Sequence, residues 1–234
     1  MRAMRWLSCM AALLLGLACA RRTGEEPKTV SQEVAEYGAV VDGRLMPLFA
    51  SMRISYPPEH LVLIGLKDER LLEVWAADKE NQYRFITSYR ILGASGTLGP
   101  KLRQGDKQVP EGIYRIQSLN PNSRHHLALR IGYPNELDRQ RAQQEGRTNL
   151  GGDIMIHGGT GSSGCLAMGD EAAEDLFVLA ARTGITNIKV ILSPVDFRIR
   201  DVSPETWQLV WVPELYADIR EALRLFSNGA ALDS

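Results

Sequence analysis

Leu61-Val-Leu-Ile-Gly-Leu66, Lys67-Asp-Glu-Arg70 and Leu71-Leu-Glu-Val-Trp-Ala76 decide the fold class. Two short apolar runs, rich in branched and aromatic residues, flank a polar turn, which is the length and chemistry of a β-hairpin. Outward from it, Tyr83 to Ile91 reads as a third strand and Gly112-Ile-Tyr-Arg-Ile-Gln117 as a fourth. Leu127-Ala-Leu-Arg-Ile131, Asp153-Ile-Met-Ile-His157 and Ile188 to Leu192 complete the set. Helical periodicity is confined to three places. Ser31 stands where an N-cap would precede Val34, Tyr37, Val41, Leu45 and Leu48, although Gly38 and Gly43 weaken that pattern and its second half reads as loop. Asp170 or Glu171 opens a second helix closed by Thr183-Gly184, and Pro213 to Phe226 is a third. Short strands outnumber helices and do not alternate with them. The expected fold is therefore mainly β with a few helices, a sandwich or barrel with one helix following Cys165 and another near the C-terminus.

The segments divide into residues 1–19 as an export signal, 20–30 as a tether, 31–60 as a helix and loop, 61–198 as the main domain and 199–234 as a helical extension. Arg2 and Arg5 precede the apolar run from Met10 through Leu17, then small residues follow. That run is too short for a bilayer core of about 30 Å, which takes roughly 20 apolar residues, so it reads as a secretory signal. With Cys9 inside the signal and Cys19 at its end, the exported domain keeps Cys165 alone, and an unpaired thiol in an oxidising compartment calls for a reason. Composition adds a limit. Hydrophobic residues make up 44% and charged residues 24%, as in an ordinary globular domain, and a formal charge of -1 gives no global attraction to nucleic acid.

Glycine fills four of the seven positions in His157-Gly-Gly-Thr-Gly-Ser-Ser-Gly-Cys165, so the backbone can turn sharply and return the thiol to the imidazole. Such a pair suits nucleophilic catalysis, with His157 as base and Cys165 as the attacking group. A neighbouring imidazole and a following helix N-terminus both favour thiolate. The backbone amides of Gly164 and Cys165, with Ser163 beside them, are the expected oxyanion donors. Zinc is the other use of His and Cys, but the chain has no Cys-x-x-Cys or His-Glu-x-x-His spacing to join His125 and His126 to the pair. No metal or cofactor is expected.

Ile156-His157-Gly158 and Ser163-Gly164-Cys165 resemble the active-site motif of the YkuD-type L,D-transpeptidases. Leu98-Gly-Pro-Lys-Leu-Arg-Gln-Gly-Asp106, Val109-Pro-Glu-Gly112 and Leu129-Arg-Ile-Gly-Tyr-Pro-Asn135 resemble its YafK-like branch, which makes 61–198 the catalytic domain. The resemblance implies a cell-envelope cysteine enzyme that forms an acyl-enzyme on a peptidoglycan stem peptide at diaminopimelate. It then passes the acyl group to an amine or to water. Hydrolysis that releases wall-linked lipoprotein, and a non-catalytic peptidoglycan-binding lipoprotein, are the alternatives. Two residues depart from the common motif: Ser163 stands for a histidine and Ala167 for an arginine. Arg103, His126 and Tyr133 are candidate substrate contacts, with His125 the alternative to His126. Leu15-Gly-Leu-Ala-Cys19 resembles a bacterial lipobox, which would make Cys19 a lipidation site and the membrane a partner through that anchor alone. Gly16 departs from the larger residue preferred there, which leaves ordinary cleavage open.

Overall fold

The computed structural model describes residues 26–79, 82–202 and 209–226. The expected signal, Cys19 and much of the tether lie outside these residues, as does part of the segment after 198. The described chain forms α1 (Val30–Ser51), β1 (His60–Leu66), β2 (Leu71–Ala77), β3 (Arg84–Arg90), β4 (Gly112–Ser123) and β5 (His126–Ile131). It continues through α2 (Glu136–Gln144), β6 (Met155–His157), β7 (Leu166–Ala167), α3 (Asp170–Thr183), β8 (Ile188–Ser193) and α4 (Val212–Leu223).

The eight strands make one mixed sheet in the order β3-β2-β1-β8-β4-β5-β6-β7. The hairpin expected from residues 61–76 is present, with Leu66 opposite Leu71. β4 is the corner of the sheet. Its first residues, Gly112 to Arg115, pair with β8, and from Ile116 onward it pairs with β5 through two register shifts. Such irregularities bend a strand and raise its twist. The two ends of the strand order then meet: the amides of Leu92 and Gly93 donate to the Ala167 carbonyl at 2.8 and 3.1 Å, and the Ala167 amide donates to the Gly93 carbonyl at 2.8 Å. The sheet thus curls toward a barrel, as the sequence predicts for a mainly β chain.

β1 explains why its sequence is apolar throughout. Leu61 and Leu63 enter one core together with α1 and α3, whereas Val62, Ile64 and Leu66 enter a second core with α4 and Trp75. Alternate residues of a strand face opposite sides, so a strand covered on both faces loses its polar alternation.

Two expectations for the first helix are corrected. Its N-cap is Thr29 rather than Ser31, with a capping box in which Thr29 Oγ1 accepts from the Gln32 amide and Gln32 Oε1 accepts from the Thr29 amide. It also runs unbroken to Ser51 instead of dissolving after Gly43. The face carrying Val41, Leu45 and Phe49 is buried, and that burial outweighs the ~1 kcal/mol that a glycine costs inside a helix. Gly38 has a packing reason: a Cβ there would lie 2.7 Å from the Arg182 guanidinium of α3, which crosses at this point to pair with Asp42.

Candidate active site

β6 ends at His157 and β7 begins at Leu166, and parallel pairing sets Ile156 beside Leu166 and His157 beside Ala167. The glycine-laced stretch between them must therefore double back to the level from which it left. Gly159 at φ 65° and Gly164 at φ 98° make the reversals, a region of backbone space open to glycine at little cost. Asp170 Oδ1 accepts from the Gly159 amide at 2.8 Å, and Ser162 Oγ donates to the Cys165 carbonyl at 2.6 Å. The turn is also fitted against its surroundings. A Cβ on Gly158 would lie 2.6 Å from Asp170 Oδ1 and 2.8 Å from the His125 carbonyl.

Cys165 and His157 line one groove of about 620 Å³, together with Asn120, Arg124, His125 and Asp153. Cys165 is half-buried, and its Sγ donates to the Asp153 carbonyl at 3.5 Å. His157 is only 3% exposed. Its Nδ1 lies 2.6 Å from the Gly158 carbonyl. A carbonyl oxygen can only accept, so Nδ1 carries the proton and Nε2 is the nitrogen with a free lone pair. That is the tautomer a proton-accepting imidazole requires.

The electrostatics correct one expectation. Burial pushes the Cys165 thiol above its ordinary value of 9.0, and the Asp153 carboxylate pushes the same way. A hydrogen bond with the Met155 backbone and the Lys101 charge act against this without reversing it. Burial also lowers His157 from its ordinary 6.5, opposed by the bond to Gly158 and reinforced by His125. At neutral pH the resting pair is thus a neutral thiol and a neutral imidazole, not the thiolate that the sequence suggests. Nor does Cys165 abut a helix N-terminus, because β7, Met168 and Gly169 separate it from α3.

The expected oxyanion donors also divide. The Gly164 amide donates to Ser95 Oγ at 2.7 Å, so it is engaged elsewhere. Among the described residues the amides of Ser163 and Cys165 meet no such acceptor. Ser95 gave no signal in the sequence, since a serine within a glycine-rich loop reads as solvated polar chain.

Three candidate substrate contacts lie away from the groove. Arg103 lines a separate groove of about 780 Å³ with Leu98, Arg147 and Tyr216, where there is neither cysteine nor histidine. Tyr133 is buried, and its hydroxyl donates to the carbonyls of Lys101 and Leu150 at 3.2 and 3.3 Å. His126 turns to α3, where its Nε2 lies 3.1 Å from Glu174 Oε1. His125 takes the place at the groove, its ring stacked on that of His157. No group of His, Cys, Asp or Glu among the described residues is arranged to hold a metal ion.

A family model described as the L,D-transpeptidase catalytic domain, YkuD, matches residues 59–191. Two curated relatives, each named "Putative L,D-transpeptidase YafK" and coming from Escherichia coli K12 and O157:H7, are 37% identical over 142 residues. That stretch is 58% of this chain and 54% of the relative, so the chain spans about half the length of the curated relatives it matches. Among solved structures, the helical cell shape determining protein Pgp2 of Campylobacter jejuni is similar at 24% identity, covering 58% of this chain and 48% of its own, with a TM-score of 0.46. Bd1075 of Bdellovibrio bacteriovorus is similar at 21% identity over 74% and 57%, with a TM-score of 0.43. At these scores the structural likenesses support no inference.

Proposed function

The chain belongs to the YkuD L,D-transpeptidase catalytic domain family, and on that premise we propose that it is a peptidoglycan-modifying cysteine acyltransferase. The carrying observation is one groove that holds a lone free thiol and an imidazole whose Nδ1 is fixed on a backbone carbonyl. Cys165 is the nucleophile and His157 the general base. As a stem-peptide carbonyl approaches, Nε2 of His157 takes the thiol proton while sulfur bonds to the carbonyl carbon. The resulting oxyanion is met by the Cys165 amide, with that of Ser163 beside it; one such donor is worth roughly 3 kcal/mol of barrier. The C–N bond then breaks, the leaving amine takes the proton from His157, and a thioester remains. A second amine, or water, repeats the steps in reverse and frees the sulfur.

Because burial keeps both partners neutral at rest, the proton moves only when substrate is in place. This suits an exported enzyme, since thiolate is the form most open to oxidation. The substrate class is a peptidoglycan stem peptide at diaminopimelate, and the site of action is the bacterial envelope after export. No described helix is long and apolar enough to cross a membrane. Incubation of the purified protein with muropeptides, with products read by mass spectrometry, tests the proposal. Cross-linked or exchanged products would show transfer to an amine, and shortened stems would show transfer to water. No change in any muropeptide, with wild type indistinguishable from Cys165→Ala, would overturn it.

A further inference from the structure

The β4–β5 hairpin delivers a second imidazole to the proposed base. Ser123 and His126 pair across it, which leaves Arg124 and His125 as its turn. His126 adopts φ 65°, and its ring packs edge-on to Tyr37 and against Glu174. His125 faces the other side. Its amide donates to Ser123 Oγ at 3.1 Å, and its ring lies on that of His157 with centroids 4.7 Å apart and planes inclined by 26°. The His125 carbonyl comes so close to Gly158 that a Cβ there would lie 2.8 Å away, so the bare backbone at 158 is what admits the turn. His125 is itself exposed, and the two rings are the imidazoles that line the groove.

We propose that His125 is a positioning residue for His157: its stacked ring fixes the plane of the base so that Nδ1 stays on the Gly158 carbonyl and Nε2 stays free to accept a proton. This rests on the reading of His157 as the base. A ring held by one hydrogen bond can still rotate about its side-chain torsions, and the broad terminal torsion of histidine gives little resistance of its own. A flat partner on one face removes that freedom. The same contact has an electrostatic consequence. When both rings are protonated, like charges at stacking distance repel, so His125 opposes protonation of the base as pH falls. The other ionisable or charged groups around the base are Cys165, Asp153 and Arg124 in the groove, and Asp170 at the start of α3.

Two variants separate the two effects. His125→Phe keeps a flat ring without a charge, and His125→Ala removes both. The full chain with ¹⁵N-labelled histidine reports tautomer and titration by long-range ¹H–¹⁵N NMR. His125→Phe is expected to retain the Nδ1–H signature of His157 while its titration midpoint moves upward. His125→Ala is expected to give a mixture of tautomers and, on muropeptides, a kcat lower by about tenfold with KM within about twofold. A single Nδ1–H tautomer in His125→Ala would overturn the inference, as would an unaltered midpoint in His125→Phe. Should the wild type leave every muropeptide unchanged, the proposed activity fails, and the tautomer of His157 in His125→Ala still decides the inference by itself.

Discussion

Among the described residues, the Lys67–Glu111 cluster and the groove pair Cys165 and His157 are built in opposite ways. Beneath the loop that leads into β4, Lys67 Nζ donates to the carbonyls of Gly99 and Val109 and to Glu111 Oε1, at 2.9, 3.0 and 2.8 Å. Glu111 also accepts from the Gly99 amide at 2.7 Å and from the Tyr216 hydroxyl at 2.7 Å. Each of the three lysine protons has an acceptor and both carboxylate oxygens have donors, so the cluster is saturated. The groove pair is the reverse. His157 uses one ring nitrogen, and the Cys165 sulfur meets backbone alone, the Asp153 carbonyl at 3.5 Å and the Met155 backbone. Saturation fixes a structure, while unused bonding capacity facing a groove leaves something for a substrate to engage.

Substitutions should separate the two clusters by what they damage. The largest effect belongs to Cys165→Ala, which should lower muropeptide turnover by at least about 10⁴-fold while the unfolding midpoint in urea moves little. Turnover within tenfold of wild type would refute the assignment. His157→Gln keeps volume but loses the base, and should reduce kcat by about 10²–10⁴-fold. In the saturated cluster Lys67→Met strands the Glu111 carboxylate in the interior and should cost about 3–5 kcal/mol in urea unfolding. Alkylation of Cys165 in the folded fraction should remain at the wild-type rate. If alkylation slows in parallel, the two clusters are not independent.

Gly93→Ala sharpens the contrast from the backbone side. The added methyl would lie 2.1 Å from the Thr160 carbonyl, in the turn that carries the site, so a loss of about 1–3 kcal/mol is expected in thermal unfolding. The smallest effect is one of pH. Iodoacetamide labelling of Cys165 should show a midpoint above 9.0, because burial disfavours the thiolate. The acidic limb of kcat/KM should lie below 6.5: the neutral imidazole is the active base, its pKa is lowered, and activity is lost only as pH falls through that lowered value. A labelling midpoint below 9.0 would instead indicate an ion pair at rest.

Strands covered on both faces are the most legible part of the sequence, since Leu61–Leu66 holds no polar side chain and Ile188–Leu192 is interrupted only by Lys189. What no local pattern shows is that these two runs lie side by side and parallel, because that neighbour relation is set by the cores above and below the sheet. α2 falls outside the three places where the sequence shows helical periodicity. It buries little beyond Arg141 and Ala142, so it has no apolar period, and its one local signal is the capping box between Asn135 and Asp138. At the site, Cys165 and His157 were legible because they are near in sequence. Ser95 arrives from another loop without a signal of its own, and His125, offered by the sequence only as the alternative to His126, takes its place against His157 through the fold. The ionisation of the pair was misread for a related reason: burial is a property of the folded surroundings, not of the motif.

The contact between Gly93 and Ala167 has a consequence for solubility. In a crowded solution a bare strand edge can recruit a neighbour into an intermolecular ladder. Here the segment just after β3 ties to β7 at that point, and the open edge of β3 begins and ends in Arg84 and Arg90. Positive side chains at both ends of an open edge repel an identical edge, so self-association through this sheet is discouraged.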